Sequence, residues 1–284
     1  MARFTFPKRR QPKVAFVLSG GGNLGALQVG MLRALVERNI VPDLVLGCSV
    51  GSVNGVRFAS KPDGSSVDAL EALWLDIDGD ELMEGTGFLP GAVQLARKGQ
   101  SLHSNDGLRR LCQSNLIYET FEELEVPFQC VATAVSNASE TWFSTGPLLE
   151  PVLASAALPV VYPAVTIDGV RYIDGAVVTD VPIRRAVELG ATRIYVLHVG
   201  SYDRPREVPR RPIDAGFQAY WMARQQRYAD ELAHLPPNVT AIMLPTGPQP
   251  PTRYNDFTRS SEWISQSYEL ASRHLDRIEV TAPW

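Results

Sequence analysis

Several features that would commit the chain to a particular setting are scarce or absent. No run of consecutive apolar residues approaches the roughly 18 that a membrane-spanning helix needs, so the chain is expected to be soluble. There are only three cysteines, Cys48, Cys112 and Cys130, spaced for neither a metal site nor a paired disulfide framework. The odd thiol suits a reducing compartment and hence a cytoplasmic protein. Basic and acidic residues nearly balance, 27 against 31, and the formal net charge of −4 is spread along the chain. Such a surface has no long-range field to draw a nucleic acid. No internal repeat is visible.

What remains is an ordinary globular composition, 45% apolar and 20% charged over 284 residues, enough to bury a sizeable core without staples. Residues 1–12 are basic and include Lys8, Arg9 and Arg10. The apolar run that follows is too short for a signal-peptide core. The stretch reads as a flexible arm, with transient contact at a membrane surface left open, because stable anchoring usually takes two signals. Residues 13–284 read as one domain, with a motif-bearing core over 13–200 and a strand–helix part over 213–284.

Short apolar runs alternate with helical patterns along almost the whole length, which predicts an α/β fold with a mostly parallel sheet. Val14 to Leu18 reads as a strand buried on both faces. Leu24, Leu27, Met31, Ala34 and Leu35 recur at helical spacing, and Asn39 with Pro42 marks the stop. Leu44 to Leu46 is the next strand. Further strands are expected at 128–135, 194–199 and 239–244, and a hairpin around Asp168-Gly169. Helices are expected at 66–77, from a Ser104 cap through Leu111, at 148–158, from Pro182 to near Gly190, at 213–235 and at 256–275. Gly79 to Gly107 reads either as a mobile rim over a site or as a loop with one short helix.

Two glycine turns organise this pattern. Gly20, Gly22 and Gly25 satisfy G-x-G-x-x-G after a strand and before a helix, which alone would announce a dinucleotide. That reading needs an acidic residue at the end of the second strand. Asp43 has about the right spacing but opens that strand. Its end is occupied instead by Gly47-Cys48-Ser49-Val50-Gly51, a G-x-S-x-G nucleophile elbow in strand-to-helix context. The glycines on either side of the serine leave room for a sharp turn, and the amide of Val50 faces the place where an oxyanion would develop. Amides of the first turn, at Gly20, Gly21, Gly22 and Asn23, form a nest that could complete that oxyanion hole.

A serine nucleophile needs a base. Four histidines are available, and an order of serine, aspartate, histidine would take Asp174 and then His198. His198 lies in an apolar strand, where a core or strand-end role fits better. Asp174, in Asp174-Gly175-Ala176 at the end of the hairpin, is the better partner. Its small neighbours permit close approach to the elbow, and desolvation would raise its affinity for a proton.

With these motifs in hand the chain resembles the patatin-like phospholipase family. The likeness rests on Gly20 to Gly25, on Gly47 to Gly51, on Ser155-Ala156-Ala157-Leu158-Pro159 and on Asp174-Gly175-Ala176, in that order. The resemblance implies a three-layer α/β/α sandwich and a lipid acyl hydrolase acting on a lipid or acyl-ester substrate. Ser49 would be the nucleophile, Asp174 the base, and Gly20 to Asn23 with Val50 the oxyanion hole; Gly25, Gly47, Gly51 and Gly175 would shape the turns. It implies no cofactor and no metal. Leu24 stands where many relatives carry a basic residue, which leaves the choice between phospholipid and neutral ester open. A non-catalytic lipid-binding protein on the same fold is the alternative from another class.

Overall fold

The computed structural model describes residues 12–83, 101–200, 212–249 and 255–281. Its backbone is an eight-stranded sheet. Strands β1 (Val14–Leu18), β2 (Leu44–Cys48), β3 (Phe128–Ala134), β7 (Arg193–Leu197) and β8 (Thr240–Met243) run parallel in the order β3-β2-β1-β7-β8. Strands β4 (Ser139–Phe143), β5 (Val165–Ile167) and β6 (Val170–Asp174) join it antiparallel.

Side chains of a strand alternate between faces, and here they divide the core in two. On β1, Phe16 and Leu18 pack with one cluster while Ala15 and Val17 pack with another, all four fully buried. The first cluster gathers helices α1 (Ala26–Glu37), α2 (Val50–Ser60), α3 (Gly64–Asp76), α5 (Asp106–Asn115) and α6 (Leu149–Ser155), together with the long α9 (Ser260–Thr281). The second lies under α7 (Ile183–Glu188) and α8 (Pro212–Ala233). Two helical layers with a sheet between them make the expected three-layer α/β/α architecture. The three cysteines are free and buried, and no helix among the described residues is long and apolar enough to cross a membrane.

Local chemistry accounts for most of the boundaries. Asn39 at φ 54° stops α1, and the amide of Ile40 returns to the Leu35 carbonyl at 3.1 Å. The side chain of Asp63 accepts from the Ser65 amide and caps α3. Asp168 and Gly169, at φ 49° and 79°, make the two-residue turn between β5 and β6 that a right-twisted hairpin favours. Asp43 accepts from the Val14 amide at 2.7 Å, pinning the start of β2 to the start of β1. It therefore sits at the opposite end of the strands from a nucleotide's ribose.

Some expectations shift. Strand β4 was not legible, because it is half-buried along its whole length and carries no apolar run. Ser104 does not cap α5; its hydroxyl donates to Asp106 and Asn105 stands at the N-cap. Asp256 turns the chain before α9 by accepting from the Thr258 amide, and the helix begins at Ser260. Pro182 precedes α7 instead of lying in its first turn, and α7 ends at Glu188. Within the proposed rim, Gly79–Leu82 forms a short helix, α4; residues 84–100 lie outside the described residues, as do residues 1–11, the basic arm, and most of the Tyr202 to Pro212 linker.

One consequence of the pairing positions the site. Residues 130–131 of β3 pair with both β2 and β4, and residues 132–134 with both β4 and β6. A strand has two edges, so β2 and β6 share the edge that β4 does not occupy. They run in opposite directions and meet head to head: Cys48 lies opposite Val131, and Asp174 lies opposite Ala132. The residue after Cys48 is Ser49.

Candidate active site

Between β2 and α2 the chain reverses within one residue. Ser49 has φ 53° and ψ −127°, a sparsely populated conformation for a residue with a Cβ. Its neighbours explain how this is held. A Cβ at Gly47 would lie 2.5 Å from the Gly51 carbonyl oxygen, and one at Gly51 would lie 2.3 Å from that of Leu18. Only glycine lets the turn close. The Ser49 amide donates to the Ser155 hydroxyl at 3.0 Å, and the Ser49 carbonyl accepts from the amide and hydroxyl of Ser52 at 2.8 and 2.6 Å.

The Ser49 hydroxyl donates to Oδ2 of Asp174 at 2.6 Å, short enough for a charge-assisted bond. The other carboxylate oxygen accepts from the Ala176 amide at 2.8 Å. The aspartate's own amide donates to the Ala157 carbonyl at 2.9 Å, and Thr133 donates to its carbonyl at 3.0 Å. The carboxyl is 1% exposed and Ser49 8%. Burial pushes the Asp174 carboxyl up from its usual value to about 6, against the opposing pull of the Ser49 hydroxyl, the Ala176 amide and the charge of Arg224. At neutral pH it is ionised and a far better base than an exposed aspartate.

The first glycine turn lies against this pair. The point that a Cβ on Gly20 would occupy is 3.0 Å from Ser49 Cβ and 2.9 Å from Asp180 Oδ1. Gly22 has φ 58°, and a Cβ at Gly21 would overlap Val199. No acceptor is found among the described residues for the amides of Gly21, Gly22 and Val50. Gly20 differs from expectation, because its amide donates to Oδ1 of Asp180 at 3.1 Å. Asn23 is buried, and its side chain donates to the Asp256 carbonyl, tying the turn to the approach of α9. Leu24 packs against the core, and Gly25 lets the helix lie against Val50 and Trp74. Gly175 is required because a Cβ there would lie 2.2 Å from the Val131 carbonyl oxygen.

His198 stands just past the end of β7, with its ring stacked on Tyr228 of α8 at 4.9 Å. Burial draws its basicity down to about 4, so it is neutral at physiological pH. The proton of Ser49 is directed to Asp174, not to an imidazole. No group of histidine, cysteine, aspartate or glutamate side chains among the described residues is disposed to hold a metal.

Two charged residues that the sequence did not flag border the site. Asp180 and Arg224 form an ion pair in which the two side chains are 7% and 4% exposed. The guanidinium lies over the Trp221 ring at 4.1 Å and near the Tyr220 ring at 5.2 Å. Tyr220 itself packs beside Cys48, Val131 and Ala176. The available signal was a lone arginine after Tyr220-Trp221-Met222-Ala223, which helical periodicity reads as an ordinary surface charge.

Residues 16–187 match the model of the patatin-like phospholipase family. The chain belongs to the patatin-like phospholipase family. Among its relatives are a patatin-like phospholipase domain-containing protein of Caenorhabditis elegans, 32% identical over 203 residues, and lysophospholipase nte1 of Aspergillus terreus, 26% identical over 201. Each alignment takes in 67% of this chain but only 14% and 12% of the relative. This chain therefore corresponds to a small part of those much longer proteins. Among solved structures, VipD from Legionella pneumophila shares the fold, with a TM-score of 0.50 and 15% identity over 94% of this chain and 67% of its own. In this patatin-like chain, Ser49, Asp174 and Asp180 fall inside the family match and Arg224 falls outside it.

Proposed function

We propose that the chain is a serine hydrolase of fatty acyl esters of lipids, working through a Ser49–Asp174 dyad. The observation that carries this reading is the 2.6 Å bond from the Ser49 hydroxyl to a buried carboxylate, made at a strained elbow. The family and the lysophospholipase named among its relatives support the substrate class.

In the first half-reaction Ser49 Oγ attacks the ester carbonyl carbon while its proton passes to Asp174 Oδ2. The amides of Gly21, Gly22 and Val50, with Asn23 beside them, receive the oxyanion. The dipole at the start of α2 adds to their effect. Collapse of the tetrahedral species breaks the ester C–O bond, and the leaving alcohol takes the proton from Asp174. In the second half-reaction a water gives its proton to Asp174 and attacks the acyl-Ser49 carbonyl. Collapse then releases the fatty acid and returns the proton to Ser49. No group beyond the chain's own side chains and amides is needed for this cycle.

Leu24 offers no charge to a phosphate, so the reading extends to acyl esters generally, presented by a lipid surface that the protein touches without spanning. Residues 13–284 act as one unit on this reading, since β7 and β8 extend the sheet that carries the elbow. The test is hydrolysis of a chromogenic acyl ester, with labelling by a fluorophosphonate. The Ser49→Ala and Asp174→Asn variants should lose hydrolysis with unchanged circular dichroism. A wild-type protein that neither hydrolyses acyl esters nor labels at Ser49 would instead be a lipid-binding member of the fold.

A further inference from the structure

Helix α8 lies beyond the family match, yet it reaches the dyad. Its Arg224 is buried in an ion pair with Asp180, and Nη2 lies 3.3 Å from the point that a Cβ on Gly20 would occupy, the same point that Ser49 Cβ approaches at 3.0 Å. Asp180 joins the two halves of this contact, since one oxygen of its carboxylate both faces Arg224 and accepts from the Gly20 amide. The Gly20 amide also reaches the Asp180 backbone carbonyl at 3.4 Å, so Asp180 holds this end of the turn twice, and the next two amides, of Gly21 and Gly22, find no acceptor among the described residues. Burying such a pair is costly unless further hydrogen bonds satisfy it; here Nε of Arg224 has no hydrogen-bond partner among the described residues, and the guanidinium rests instead against the Trp221 and Tyr220 rings.

We propose that Asp180 and Arg224 are positioning residues for the reaction: Asp180 clamps the glycine turn against Ser49, and Arg224 supplies the fixed positive charge that offsets the buried carboxylates of Asp174 and Asp180. This rests on the dyad reading above. It makes α8 part of the machinery, so that a chain ending with the family match would lack one element of its site.

Among the described residues, the charged and titratable groups facing Asp174 are few. Ser49 and Cys48 come from the elbow, Asp180 from the segment after β6, and Tyr220 and Arg224 from α8. Burial raises the Cys48 thiol and the Tyr220 phenol, so both stay neutral in acid and at neutrality. Burial works against the charge of Arg224, and Asp180, foremost among several neighbours, offsets that cost. Among the described residues, Arg224 and Asp180 therefore act on Asp174 as full charges, and they act with opposite signs.

The experiment is the pH profile of kcat/KM on a soluble acyl ester for the full chain and four variants, with Ser49 labelling and thermal melting as controls. Arg224→Gln should move the acid limb up by about one unit, and Asp180→Asn should move it down by a smaller amount. Asp180→Asn keeps an oxygen for the Gly20 amide and should hold kcat within about threefold, whereas Asp180→Ala removes the carboxylate half of the clamp, leaves only the 3.4 Å bond to the residue's own carbonyl, and should lower kcat about 10- to 100-fold with little change in KM. If Arg224→Gln does not fold, the neutral double variant Asp180→Asn/Arg224→Gln replaces it, and its limb should lie above that of Asp180→Asn. A packing role alone would lower activity without shifting the limb in opposite directions. Unmoved limbs in folded variants, or a wild-type kcat in Asp180→Ala, overturn the proposal while leaving the dyad standing. Absence of Ser49-dependent hydrolysis in the wild type removes the dyad reading, and this proposal with it.

Discussion

Asp174 and Asp180 are six residues apart, both buried, and each bonded to one of the two glycine turns, yet the fold treats them differently. Asp174 has a hydroxyl and an amide for company, and burial raises its proton affinity to about 6. Asp180 has a guanidinium and the Gly20 amide. The first faces the nucleophile without a direct counterion, and the second is tied to a guanidinium and to the backbone of the first turn. On the proposed mechanism, the two neighbourhoods separate the group that moves a proton from the group that holds the frame.

The sharpest way to break this distinction is to remove the proton acceptor. Asp174→Asn and Ser49→Ala should each lower kcat/KM at least about 10³-fold, measured on a chromogenic ester at pH 8. Activity within tenfold of wild type in either would remove Asp174 or Ser49 from its role. At the strut, Arg224→Ala should lose about 3–5 kcal/mol of unfolding free energy in urea, because it strands a buried carboxylate. A loss below about 1 kcal/mol would mean that Asp180 finds water instead.

A smaller effect of opposite sign is expected for stability at the dyad. The folded-state affinity of Asp174 is raised, so its contribution to stability is fully present below about pH 4 and is lost as pH rises through about 6. Asp174→Asn should therefore stabilise the protein at pH 8 by up to about 3 kcal/mol and do nothing at pH 4, read from melts at both values. A variant equally destabilised at both would place the strain elsewhere. The smallest effect is expected for His198→Gln. It should change kcat less than about twofold, because the imidazole stacks on Tyr228 and gives nothing to Ser49; a hundredfold loss would restore a histidine triad.

The elbow, the first turn and the β5–β6 hairpin were legible because their geometry is enforced locally. A Cβ at Gly47 would meet Gly51 and Ser52 within the same turn, and Asp168-Gly169 supplies two positive φ values in succession. The pairing of Ser49 with Asp174 was legible only as a joint pattern of motifs; what brings them together is the β3 edge that β2 and β6 share. Strand β4 escaped notice because its half-buried residues carry no polar-apolar alternation, and it is held by pairing with β3. Arg224 and the engagement of Gly20 were hidden for a different reason. Arg224 lies 44 positions after Asp180, and Asp180 lies 160 after Gly20; no spacing rule links them, only the stacking of α8 on the sheet.

The most direct measurement is the rate at which a fluorophosphonate modifies Ser49, followed by intact mass from pH 4 to pH 9 in wild type and Asp174→Asn. A buried carboxylate base predicts a single adduct on Ser49 whose rate falls away below about pH 6 in the wild type, and a slow, pH-independent rate in Asp174→Asn. Equal rates and equal pH dependence in the two proteins would contradict the dyad.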